Sequence, residues 1–188
     1  IELYKEFMTD IAEEIERENK IITDLLSLVK MDKTSANLNI ENRNLNELIE
    51  LILKRLRPIA KQRNIDVLYE SAREVFAEID EVKLTLAISN LVENAIKYNN
   101  EYGYVKVSLD ADHQFATIMV EDNGIGIPQE AQEHIFERFY RVDKSHSREI
   151  GGTGLGLAIV KHVVAEHHAK LDIKSKEGKG TEIKVTFV

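Results

Sequence analysis

Asn90-Leu-Val-Glu-Asn94-Ala-Ile-Lys97-Tyr98 decides how this chain is read, because it places two kinds of residue on one helix. At about 100° per residue Leu84, Ile88, Leu91 and Ala95 share a face, while Asn90, Asn94 and Lys97 share another roughly 130° away. The first face is expected to pack and the second to bind. Taken alone, the block is equally a solvated polar helix face. Downstream come Asp122-Asn-Gly124-Ile-Gly126-Ile127 and Gly151-Gly152-Thr153-Gly154-Leu155-Gly156, with Phe136-Glu-Arg-Phe139 between them. Three such blocks in this order suit one nucleotide pocket.

Working outward, residues 1–31 are charged and free of Gly and Pro, with Phe7, Ile11, Ile15, Ile22, Leu25 and Val29 at helical intervals. They predict one long amphipathic helix whose apolar stripe is exposed. The stretch from Asp32 to Asn44 turns polar and reads as a linker. Leu45, Leu48, Ile49, Ile52, Leu53 and Leu56 then form the stripe of a helix running to Arg63, with Pro58 as a kink site. Strands are expected at 65–69 and 75–79, Asp80 as the cap of the block-bearing helix, and a hairpin over 104–109 and 115–121. The glycines at 151–156 open a helix to about His168, and strands at 171–175 and 182–187 complete the sheet. The expected fold is an α/β (α+β) two-layer sandwich: a mixed sheet covered on one face by helices, preceded by the long helix. Boundaries fall at 1–32 for that helix, 33–44 for the linker and 45–188 for the domain.

Composition narrows the function classes. With 33 acidic against 25 basic residues, the net charge of −8 leaves no basic face for a nucleic-acid backbone. No stretch approaches the roughly 20 apolar residues of a membrane span, and no signal peptide opens the chain. Without cysteine there are no disulfides, thiol nucleophiles or zinc thiolates. The histidines lack partners at metal-ligand spacing, and His134, His146, His162, His167 and His168 read as surface residues.

The glycine blocks carry separable chemistry. A carboxylate at a strand end, Asp122, can accept from the exocyclic amine of adenine, a charged hydrogen bond worth about 1.5–3 kcal/mol that selects adenine over guanine. Gly124 and Gly126 let the backbone turn and approach the base, although an isolated Asp-Asn-Gly is also an ordinary turn. The block at 151–156 leads into a helix whose first amides can hold phosphate. It is not a Walker loop, lacking Gly-Lys-Ser/Thr, and not a Rossmann fingerprint, lacking a strand that runs directly into it. Gly178-Lys-Gly180-Thr181 reads both as a hairpin turn and as a further pocket element.

Together these residues resemble the ATP-binding domain of sensor histidine kinases, in the superfamily of gyrase, heat-shock chaperone, kinase and MutL ATPases, over the whole chain. The resemblance implies an ATP-dependent protein-histidine kinase with ATP and Mg²⁺ as cofactors. Asn94 would hold the Mg²⁺ through its amide oxygen, Asn90 would support the phosphates and Lys97 would offer them a charge. Tyr98 would line the nucleoside side, Asp122 with Thr181 would hold adenine, and Gly124, Gly126 and Ile127 would flank it. Gly152, Thr153, Gly154, Leu155 and Gly156 would hold the phosphates, with Phe139 anchoring a lid from which Arg141, Lys144 and Arg148 close over them.

In relatives that hydrolyse ATP, a glutamate one turn before the metal asparagine activates water. Here Asn90 stands there, so hydrolysis is disfavoured, and Glu93 is expected to be solvated. The family's phosphoacceptor histidine lies on the first helix of a two-helix dimerisation hairpin. Residues 1–32 resemble the second helix and no histidine precedes His113, so the chain reads as a fragment that binds ATP without autophosphorylating. The resemblance also implies a response-regulator partner, homodimerisation of the full protein, and a cytoplasmic domain tied to a bacterial membrane only through segments outside the chain. A serine kinase of the anti-sigma type and a nucleotide-sensing module without catalysis are the competing readings.

Overall fold

In the computed structural model, residues 1–34, 38–142 and 152–187 are described. Helix α1 spans Glu2–Thr34. Strand β1, Glu41–Asn44, leads into α2, Leu45–Gln62, where the Asn44 side chain caps the first turn by accepting from the amides of Asn46 and Glu47. The stripe from Leu45 to Leu56 is buried as its periodicity requires, and α2 continues through Pro58. Then follow β2 (Asp66–Ser71), β3 (Phe76–Ile79), α3 (Glu81–Lys97), β4 (Tyr104–Ala111), β5 (Ala116–Asp122), the short α4 (Gln129–Gln132), α5 (Gly156–Glu166), β6 (Lys170–Lys176) and β7 (Gly180–Phe187).

The main sheet runs β2-β4-β5-β7-β6, and only the β2–β4 pair is parallel. That pair needs a crossover, and α3 supplies it. Alternation decides which face is covered: Val105, Val107 and Leu109 are at most 1% exposed and point at the helices. Helices α2, α3 and α5 share one apolar core with these residues, which gives the expected sandwich with a mixed sheet. On the opposite face Lys106 pairs with Glu121 and Lys174 with Glu182.

Two local readings change. The end of the polar stretch is strand β1, paired antiparallel with β3 from Glu41↔Ile79 to Asn44↔Phe76. Its sequence hides it because backbone groups make the pairing while the side chains stay mostly exposed. His167, read as a surface residue, is half-buried and held at both ring nitrogens: its Nε2 accepts from the Asp80 amide at 2.9 Å and its Nδ1 donates to the Val163 carbonyl at 2.8 Å. Asp80 meanwhile caps α3 through the Lys83 amide, so the histidine ties the start of α3 to the end of α5.

Phe7, Ile11, Ile15, Ile22 and Val29 of α1 are exposed. A different face docks. Leu28 is 1% exposed and belongs to the core, Leu25 packs against it, and Asp24 is buried. Among the described residues no helix is long and apolar enough to cross a membrane.

Candidate functional site

Asp122 ends β5 directly opposite Thr181 at the start of β7, a pairing set by the register of two strands far apart in sequence. Its Oδ1 accepts from the Gly124 amide at 2.8 Å, and the Thr181 amide donates to the same carboxylate. These donors do not compensate for lost water, and burial pushes the carboxyl up to about 6. The Thr181 hydroxyl lies 2.8 Å from Ser175 Oγ, which accepts from the Ile127 amide. Gly126 is where glycine is required: φ is +68°, and a Cβ there would stand 2.0 Å from the Lys176 carbonyl oxygen. The hairpin reading of 178–181 and the pocket reading therefore hold together, because the β6–β7 turn presses against the loop after Asp122.

The opposite wall comes from α3. Leu84, Ile88, Leu91 and Ala95 are buried, while Asn94, Lys97 and Tyr98 reach a cavity of about 380 Å³. Asn90 is 7% exposed; its Nδ2 donates to the Leu86 carbonyl, and a Cβ at Gly156 would come within 2.9 Å of its Oδ1. A Cβ at Gly152 would lie 3.0 Å from the Tyr98 hydroxyl and 3.2 Å from Lys97 Nζ. The second glycine block thus lies against the polar face of α3. Among the described residues no side chain caps the start of α5, which leaves its first amides to an anion.

This cavity joins Asn90, Asn94, Lys97, Tyr98, Asp122, Gly126, Ile127, Arg141, Gly152, Thr153, Gly154, Gly156 and Thr181. Three of the sequence-selected residues sit elsewhere. Gly124 stands behind Asp122 as its hydrogen-bond donor, and the Leu155 side chain is fully buried in the core. The Phe139 ring is 57% exposed, and its contribution is made by backbone: its amide donates to the Gly154 carbonyl at 2.8 Å. Lys144 and Arg148 lie outside the described residues, as does Gly151.

Other residues of the cavity escaped the sequence. Ile125, Ile135, Leu157 and Ile183 supply apolar walls, and their residue types cannot be told from core. Glu93, read as solvated, lines the cavity and pairs with Lys20 of α1 at 3.2 Å. Thr153 donates its hydroxyl to Asp24 of α1 at 2.9 Å while accepting from the Leu155 amide. Burial, with Lys20 and Arg141 nearby, pushes Lys97 down to about 8. Among the described residues no three acidic, histidine or cysteine side chains cluster to hold a metal unaided.

A mixed sheet under three helices, with an acidic strand end facing a glycine loop across one cavity, defines a nucleotide-binding sandwich. Residues 79–188 match the family described as histidine kinase-, DNA gyrase B- and HSP90-like ATPases, and the chain belongs to that family. It is 38% identical over 184 residues, 96% of its length, to the sensor histidine kinase WalK of Bacillus subtilis, and 41% identical over 188 residues, 99% of its length, to the sensor protein kinase WalK of Staphylococcus epidermidis. It spans 30% and 31% of those two proteins. Among solved structures, histidine kinase ThkA in complex with the response regulator protein TrrA superposes with a TM-score of 0.77 at 25% identity, over 98% of this chain and 51% of that one.

Proposed function

We propose that the chain binds Mg-ATP and positions its γ-phosphoryl group for transfer to a histidine imidazole on a helical segment outside residues 1–188, from which a response-regulator aspartate would take it. The observation that carries this reading is a continuous cavity that runs from Asp122 to the glycine block and the amide-bearing face of α3. Adenine would donate to Asp122 between apolar walls, and the triphosphate would lie against the α5 amides, Lys97 and Arg141.

Mg²⁺ fits this donor set. Among the described residues none forms a carboxylate cage, and Asn94 offers one neutral oxygen, which suits an ion that takes most of its ligands from phosphate and water. Once bound, the ion would offset charge on the phosphates. Asn90 cannot take a proton from water, so the γ-phosphate should persist until a nucleophile arrives. In the transfer, the bond from the γ-phosphorus to the bridging oxygen breaks, and its electrons leave with ADP. A P–N bond forms at the imidazole, whose proton passes to solvent.

The test supplies γ-labelled ATP, Mg²⁺ and the histidine-bearing two-helix segment of a sensor kinase relative. Acid-labile, alkali-stable label on the added segment is expected, with none on this chain alone. ADP release without labelled protein would show hydrolysis instead, and nucleotide binding with no chemistry would leave a sensing module.

Lys97 provides a second check. Its pKa of about 8 lets it shed charge in mildly alkaline solution, whereas a bound phosphate favours the protonated form. Nucleotide binding should therefore take up protons at about pH 8–9. Calorimetry in buffers of different ionisation enthalpy reads this uptake, which Lys97→Met should remove.

A further inference from the structure

Lys20 enters the cavity from α1, an element 73 residues before its partner Glu93. Two contacts on the same helix face hold it there: Asp24, one turn on, takes the hydroxyl hydrogen of Thr153, and Leu28, a further turn on, is buried in the core. The position of Lys20 therefore does not depend on its own ion pair. A half-exposed lysine–carboxylate pair is too weak to seat a helix by itself.

Three cationic side chains converge at this end of the cavity: Lys20, Lys97 and Arg141. Both Lys20 and Arg141 act on Lys97, and together with burial they hold its charge down. Among the described residues, the carboxylates facing Lys20 and Lys97 are Glu93, paired with Lys20, and Asp24, which accepts from Thr153. Gathering these cations around one cavity suits a polyanionic ligand, in a chain whose net charge is −8. Glu93 alone would repel phosphate. With Lys20 in front of it, that carboxylate is masked, and the ammonium has further donors to offer.

We propose that Lys20 is a nucleotide ligand contributed by α1: its ammonium contacts the terminal phosphates, so nucleotide binding and the docking of α1 strengthen each other. This rests on the ATP-site reading above, and deepens it by making the preceding helix part of the site. The coupling is reciprocal, so whatever pulls α1 away lowers the affinity for ATP by the factor with which ATP holds α1 in place.

The experiment measures ATP and AMP affinities of the full chain, Lys20→Ala and Lys20→Arg, with thermal unfolding of each as a fold check. Lys20→Ala should weaken ATP by about tenfold and AMP by less than about twofold, and Lys20→Arg should recover most of the loss. In the unaltered chain, ATP should slow amide exchange around residues 20–28 more than AMP does, a readout that needs no variant. Unchanged ATP affinity in Lys20→Ala, equal losses for ATP and AMP, or no added protection of α1 would each overturn the proposal. Failure of the folded, unaltered chain to bind ATP at all would remove the site reading itself, and this inference with it.

Discussion

Asp122→Asn is expected to abolish useful ATP binding while making the protein more stable. The carboxylate accepts from two amides, yet burial raises its pKa from 3.8 to about 6, so the ionised form is the strained one. The sign follows from linkage. A carboxyl with a raised folded pKa contributes stability that is fully present below about pH 4 and is lost as pH rises through about 6. At neutral pH the fold therefore carries an unfavourable charge.

The shift corresponds to about 3 kcal/mol if fully buried, and partial exposure of the group reduces this to about 1–2 kcal/mol. Asparagine keeps an acceptor for the Gly124 amide and removes the charge, so Tm should rise by roughly 3–6 °C at neutral pH. The stability loss between about pH 4 and 6 should shrink with it. The new amide presents a donor to a donor at the adenine amine, and affinity should drop about a hundredfold. Calorimetric melts across pH and nucleotide titrations check both halves. A variant that bound ATP like the parent would remove Asp122 from the base-binding role.

Gly126→Ala should have the larger effect on the fold. A Cβ at φ +68° would stand 2.0 Å from the Lys176 carbonyl oxygen and 2.6 Å from its carbon, so backbone must move on both sides of the turn. The same substitution at Gly178 separates strain from collision, since φ is +73° but nothing lies within 4 Å. Gly178→Ala should cost about 1 kcal/mol, the ordinary penalty for a left-handed alanine. Gly126→Ala should cost more than about 3 kcal/mol and open the adenine end of the cavity. Urea unfolding midpoints of the two variants provide the comparison. Equal losses would mean that the β6–β7 turn does not press on residue 126.

The polar, cavity-lining face of α3 was legible because a period of 3.6 sorts Leu84, Ile88, Leu91 and Ala95 from Asn90, Asn94 and Lys97 without any knowledge of the partner surface. The cap at Asp80, the stripe of α2 and the glycine blocks are local in the same way: each depends on residues a turn or two apart. Spacing also put Gly152, Gly154 and Gly156 near a helix start, as found. It could not say that the Leu155 side chain points into the core, or that Phe139 acts through its backbone amide, since both depend on how that loop lies across α3.

By itself, then, the sequence determined the order of elements, the polar face of α3 and the chemistry available to a nucleotide. Tertiary structure alone decided that Asp122 meets Thr181, because only the β5–β7 register brings those residues opposite each other. It also paired a wholly polar stretch with β3, tied His167 to the Asp80 amide, and brought Lys20 and Asp24 against Glu93 and Thr153. Local periodicity records which way a side chain faces on its own element. Which distant groups share a site is set by strand register and by the packing of whole elements, and no short window of sequence contains either.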